Sequence, residues 1–246
     1  MSDPNRKAEK VAKLAEKQAA YEQAVGGIDF RKFPKIPRLN REIIITEKID
    51  GTNAAIGIVE VPPTVEGGTG YYRAYAQSRN RVLTPENDNF GFANWVRHHE
   101  GTLVRVLGPG LHFGEWWGVG IGRTYDLSER RFSLFNTAKW VKAEVADGLV
   151  LLPALEWARE RGCALYTVPV LYTGPWMTYF PDDGDLPGID EKTYAPDRTL
   201  RRLANEGSHA VPGYLRPEGI VVYHKAGGVL FKATVEHDEE YKGARK

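Results

Sequence analysis

Apolar and polar residues alternate in short bursts along most of this chain, and only a few stretches repeat at helical spacing. "REIIITEK" and "NAAIGIVEV" are rich in β-branched residues and flank an Asp50-Gly51 corner, so two strands are expected to meet there. "YYRAYAQSR" alternates like a half-buried strand, and Pro62 to Gly70, "PPTVEGGTG", reads as the loop leading into it. Further strands are expected in "LVRVLG", "LHFGEWWG" and "RRFSLFN". The tail "GIVVYHKAGGVLFKATV" reads as a hairpin turning through Lys225-Ala226-Gly227-Gly228.

Helical spacing predicts an N-terminal helix in "SDPNRKAEKVAKLAEKQAAYEQAV", stopped by Gly26-Gly27. It also predicts a helix in "NDNFGFANWVRHHEG" closing on Gly101, another in "LLPALEWARERG", and a short one in "DRTLRRLANEG". The two prolines of "FRKFPKIPRLN" suit an extended connector. Clustered short strands without a regular strand-helix alternation argue for an antiparallel α+β domain and against a doubly wound parallel sheet. The expected organisation is a helical extension over 1–27 and one catalytic domain over 28–246.

Charge and cysteine content narrow the setting. The chain has 33 Lys+Arg against 32 Asp+Glu, so any phosphate or nucleic-acid site must come from local clustering. One such cluster is the stripe Arg6, Lys10, Lys13 and Lys17, which a helix lines along one face; its plainer reading is a solvated face offset by Glu9 and Glu16. Cys163 is the single cysteine, which excludes an intrachain disulfide and a cysteine zinc cage and suits a buried thiol in a reducing compartment. No apolar stretch nears the ~18 residues of a membrane span, and the charged N-terminus is unlike a signal peptide, so a cytoplasmic protein is expected.

Several chemistries fall away. "GVGIGR" lacks dinucleotide-binding glycine spacing, no GK[ST] phosphate loop occurs, and Ser78 and Ser133 lack a nucleophile elbow. His98 and His99 are adjacent, so a helix points them about 100° apart, and no third ligand completes a metal spacing. What remains is a dispersed set: Lys48-Ile49-Asp50-Gly51, Ser78-Arg79, Gly114-Glu115, Phe132 to Phe135, Glu218-Gly219 and Lys232. A lysine attacks phosphorus only when deprotonated, which nearby cations, a metal ion or burial can promote. Charge developing on the phosphates then needs Lys, Arg or metal, and carboxylates are needed to hold metal-bound water and ribose. Arg79 and Lys232 supply the cations; Glu115 and Glu218 are the natural carboxylates.

In order and wording, "EKIDGTNAAI", "AQSRNRVLT", "FGEWWG", "RRFSLFN", "RPEGIVV" and "VLFKATV" resemble the covalent nucleotidyltransferases: RNA ligases, DNA ligases and mRNA capping enzymes. The likeness is greatest to phage RNA-repair ligases of the double-strand-sealing type. A lone KxDG is weak, whereas six motifs in family order are specific. The resemblance implies an antiparallel-sheet, ATP-grasp-like nucleotidyltransferase fold, ATP as substrate and Mg²⁺ or Mn²⁺ as cofactor. It implies that Lys48 forms lysyl-AMP and that Asp50 shapes the reacting end. Glu47 would meet the adenine edge through its backbone, Arg79 phosphate or ribose, Glu115 the ribose hydroxyls, and Phe135 the adenine face. Glu218 would position the metal through water, and Lys232 would bind the α-phosphate. The implied partner is RNA with 5′-phosphate and 3′-hydroxyl ends.

Each residue also has a structural reading. Phe135 in "FSLF" suits core packing, Glu115 suits pairing with Arg123, Arg79 a surface base, Glu218 a turn carboxylate, and Lys232 a side chain snorkelling from a strand. Two positions depart from the family pattern. Asn136 stands where an aspartate is usual, and Lys232 is flanked by Leu230 and Thr234 where a second lysine is common, leaving Lys225 as another possible cation. The chain ends fourteen residues after Lys232, so no appended OB or helical domain is expected and a partner protein is a possible substitute. Other readings are a DNA-sealing or GMP-transferring enzyme of the same fold, or a catalytically idle domain that binds RNA ends.

Overall fold

The computed structural model describes residues 4–26, 31–63, 70–137, 152–179 and 192–236, which fall into two units, Met1–Pro37 and Arg38–Lys246. In the first unit, α1 runs from Pro4–Val25 and ends at Gly26, whose φ of 66° is a left-handed stop that glycine adopts without strain. Every side chain described on α1 is exposed. Gly27 and residues 64–69 of the expected Pro62 to Gly70 loop lie outside the described residues.

The second unit carries two main sheets. One is four-stranded and antiparallel, built from β1 (Glu42–Lys48), β8 (Val170–Pro175), β11 (Gly219–His224) and β12 (Val229–Thr234) in the order β12-β11-β1-β8. The other is six-stranded: β2 (Thr52–Val61), β3 (Tyr71–Ser78), β4 (Val82–Leu83), β5 (Gly110–Gly118), β6 (Arg130–Leu134) and β7 (Leu165–Thr167), in the order β4-β3-β2-β5-β6-β7. Its β6–β7 pair is parallel and its other pairs are antiparallel. A small ribbon pairs β9 (Met177–Tyr179) with β10 (Lys192–Tyr194). The α+β expectation, rich in antiparallel pairing, is met.

Strand parity decides which side chains reach the site. On β1, Ile43, Ile45 and Glu47 are buried and Ile44, Thr46 and Lys48 point the other way, as period-two alternation requires. Ile43 and Ile45 pack with Ile220, Val222 and the buried residues Ala195 and Leu203 of a helix, α5 (Ala195–Glu206). The six-stranded sheet packs Ile56, Ile58, Trp116, Phe132 and Leu165 against α2 (Phe92–His98), α3 (Glu100–Leu107) and α4 (Leu152–Arg159). Cys163 lies in that core, fully buried, and burial pushes its thiol up to about 12, consistent with an inert role. A third cluster, Ile49, Trp117, Tyr125, Val168 and Tyr214, joins the sheets beside the Asp50 corner.

Two expectations in one region are corrected. "LVRVLG" is not a strand but the body of α3, and Gly101 does not close a helix but lies in the first turn of α3. The break falls at His99, whose φ of −102° and ψ of 15° end α2. Leu103 and Leu107, four residues apart, sit on one helix face and are buried against the sheet. That burial outweighs the β preference of the valines between them.

Candidate active site

The faces of the two sheets turned away from the helices line a cleft of about 890 Å³. From the four-stranded wall come Ile44, Thr46, Lys48, Val221, Tyr223 and Leu230; from the six-stranded wall come Asn53, Ala55, Gln77, Leu111, Phe113 and Glu115. Arg79, Phe135 and Asn136 also line it.

Lys48 ends β1 opposite Gly219 of β11, and its Nζ donates to Glu218 Oε2 at 2.5 Å with both side chains largely buried. Gly219 must be bare here: a Cβ would come within 2.1 Å of Ala233 O on β12. Gly51, at the corner after Lys48, is constrained in the same way, since a Cβ would lie 2.6 Å from Trp116 O and 2.9 Å from Glu115 Cγ. Gly219 lets β11 lie close against β12 beside the lysine, and Gly51 lets the corner after it lie close against β5 of the other wall.

Glu115 faces Lys48 from the other wall. It pairs in register with Asn53, whose Nδ2 donates to Glu115 Oε2 at 2.9 Å. Desolvation raises its carboxyl from 4.5 to about 7, with the nearby charges of Glu218 and Asp50 adding to the rise and Asn53 and Lys48 opposing it. The alternative pairing of Glu115 with Arg123 is not formed. Arg123 instead lies 3.8 Å from Asp50 and 3.6 Å from Glu236.

Asp50 is fixed from several sides. Its Oδ2 accepts the Arg123 backbone N–H at 3.0 Å, and its own N–H donates to the Tyr125 hydroxyl at 2.8 Å. The segment supplying those partners is strained: Thr124, Tyr125 and Asp126 all have φ between 53° and 58°, a region costly for residues with a Cβ. The Tyr125 ring is fully buried, edge-on to Trp117 with centroids 4.9 Å apart. Burial holds its phenol far above the usual range, so it stays a neutral O–H.

Glu47, one residue before Lys48, has its carboxylate on the opposite face of the sheet, where a turn after α5 surrounds it. The Ser208 hydroxyl donates at 2.6 Å, and the backbone N–H groups of His209 and Ala210 each donate at 2.8 Å. Its own N–H donates to Pro169 O. Burial raises the carboxyl above its normal value despite those three donors.

The remaining expected residues divide. Phe135 is 42% exposed at the cleft, not a core residue, and its N–H donates to Phe113 O. Arg79 is exposed at the cleft. Lys232 is exposed and registers with Val221, which registers with Thr46, so it shares the cleft-facing side of the sheet without lining the cleft itself. Lys225 does not approach Lys48: it pairs with Glu42 at the other end of β1, about 20 Å away for a strand of this length. Sequence reasoning missed Asn53, Phe113, Tyr125 and the 208–210 turn. Asn53 was the most accessible, because "GTN" sits in the decapeptide that carries Lys48.

The RNA ligase family matches residues 41–234, and the chain belongs to that family. Similar solved structures come from Naegleria gruberi. One is an RNA ligase lysine-to-alanine variant with ATP and Mn, at 15% identity and a TM-score of 0.45, covering 79% of this chain and 49% of that one. A second is an arginine-to-alanine variant with ATP and Mn, at 16% identity and a TM-score of 0.44, covering 80% and 51%. A third is the RNA ligase with PPi, at 16% identity and a TM-score of 0.43, covering 85% and 57%. The chain thus spans about half the length of these ligases. No curated protein matches. Among the described residues, no helix is long and apolar enough to cross a membrane.

Proposed function

We propose that this chain is an ATP-dependent RNA ligase, built as a nucleotidyltransferase domain over 28–246 with a helical extension over 1–27. The observation that carries this reading is the placement of Lys48 at the head of an aromatic-lined cleft, with Glu218 on its Nζ and Glu115 opposite. In the first step Lys48 Nζ attacks the α-phosphorus of ATP. An N–P bond forms, the bond to the β-phosphate oxygen breaks, and pyrophosphate leaves. Glu218, already accepting a hydrogen from Nζ at 2.5 Å, is placed to steer the proton that the amine must shed. AMP then passes to an RNA 5′-phosphate, and a 3′-hydroxyl displaces it to close the strand.

The other residues take roles that fit their positions. Glu115 receives ribose hydroxyls as donors in addition to Asn53, and Phe135 stacks on the adenine from the rim. Arg79 and Lys232 approach the phosphates, and Asp50, held by Arg123 and Tyr125, shapes the reacting end. Glu47 keeps Lys48 in register through the 208–210 turn and meets the adenine edge through its backbone. Glu218, which accepts from Lys48 Nζ, would position a Mg²⁺ or Mn²⁺ through water. Such an ion supplies charge neutralisation at the phosphates.

Incubation with α-labelled ATP, GTP or NAD tests this directly. Covalent label from ATP, absent in Lys48→Ala, is expected, together with sealing of RNA carrying 5′-phosphate and 3′-hydroxyl ends. Label from GTP alone, or RNA-end binding with no label from any nucleotide, contradicts the ligase reading. Matched nicked-duplex and single-stranded RNA substrates then identify the ends that are joined.

A further inference from the structure

The N-terminal helix has a feature that a phosphate-binding stripe does not explain. Val11, Leu14, Gln18, Tyr21 and Val25 are spaced three, four, three and four apart, the a/d pattern of a coiled coil. The four apolar members are 63%, 68%, 65% and 53% exposed, in that order. A helix of 22 residues draws most of its stability from burying such a stripe, and among the described residues of its own unit no second helix or strand covers it.

We infer that α1 is a dimerisation helix whose partner is α1 of a second copy of this chain, packed in parallel. The flanking charges favour that occupant and that orientation. With Val11 at an a position, Lys10 and Lys17 occupy g positions and Ala8, Ala15 and Glu22 occupy e positions. In a parallel pair, a g residue faces the e residue five positions later on the partner, so Lys17 meets Glu22 twice by symmetry. An antiparallel pair sets g against g and would oppose lysines. Gln18, polar at the central a position, is the kind of residue that fixes register at some expense of affinity. Glu9 and Glu16 at f, and Lys13 at c, form the outer face; Lys13 and Glu9 are 3.9 Å apart there.

Sedimentation equilibrium of the full chain, from about 1 to about 300 µM, tests this by mass action. The weight-average mass is expected to rise from 27.5 kDa toward twice that value. Leu14→Asp and Tyr21→Asp should hold the chain monomeric. Lys17→Glu should weaken association, and Lys17→Glu combined with Glu22→Lys should restore it, a rescue that an RNA-binding role would not produce. Gln18→Leu should strengthen association. A monomer at every concentration, or a dimer untouched by Leu14→Asp, overturns the proposal. So does an RNA affinity that falls on charge reversal of Lys10, Lys13 and Lys17 while the mass stays constant, because it assigns this face to RNA.

Discussion

Each wall of the cleft carries one buried glutamate, and their surroundings differ. Glu47, on the four-stranded wall, is 1% exposed and receives three donors from a single turn. Glu115, on the six-stranded wall, is 7% exposed and receives one donor, from Asn53. A carboxylate offers about four acceptor sites. Glu47 therefore serves as a satisfied fastener, tying β1 to the 208–210 turn. Glu115 faces the cleft with acceptor capacity remaining, the condition expected of a group whose further donors arrive with a ligand. Burial by itself does not mark a functional carboxylate; the number of its protein partners and the face it occupies do.

The largest effect should come from breaking the fastener. Glu47→Ala leaves the Ser208 hydroxyl and two backbone N–H groups without an acceptor, and a loss of about 4 kcal/mol in urea unfolding is expected. Glu47→Gln keeps an acceptor and should cost less than half as much. Equal losses for the two variants would show that volume, not hydrogen bonding, is what Glu47 contributes.

Glu115 should instead govern the pH dependence. The folded state holds this proton up to about 7, whereas the unfolded chain releases it near 4.5. Between those values the folded state binds more protons, so this contribution is complete below pH 4.5 and is lost as pH rises through 7. Its full size is about 3 kcal/mol. Glu115→Gln should flatten that part of the stability profile. An unchanged profile would mean that Glu115 is already ionised in the folded protein.

The smallest expected effect lies at the joint between the walls. Tyr125→Phe keeps the buried ring and removes the acceptor for the Asp50 N–H, at a cost of about 1 kcal/mol in stability. It should also slow adenylylation of Lys48, through the corner the two residues share, in single-turnover labelling. Unchanged labelling would limit Tyr125 to packing.

Much of this was legible in local sequence. The β-branched runs around Asp50-Gly51, the terminal hairpin and α1 were each marked by their own residues. The α3 segment was not, because "LVRVLG" sets two valines and two leucines around Arg105 in a pattern that suits a strand as well, and only its burial against the sheet selects the helix. The three-residue strands β7, β9 and β10 are too short to carry a period. Parity along β1 could have separated Glu47 from Lys48, but the partner turn at Ser208 lies 161 residues away. The left-handed run Thr124-Tyr125-Asp126 leaves no trace in residue type, since none of the three is glycine.

The most direct measurement is peptide mass mapping after incubation of the full chain with ATP and Mg²⁺. An AMP adduct on Lys48, lost on adding pyrophosphate and absent from Lys48→Ala, is the predicted result. An adduct on any other residue, or none where ATP is bound, would contradict the assignment of Lys48 as the nucleophile.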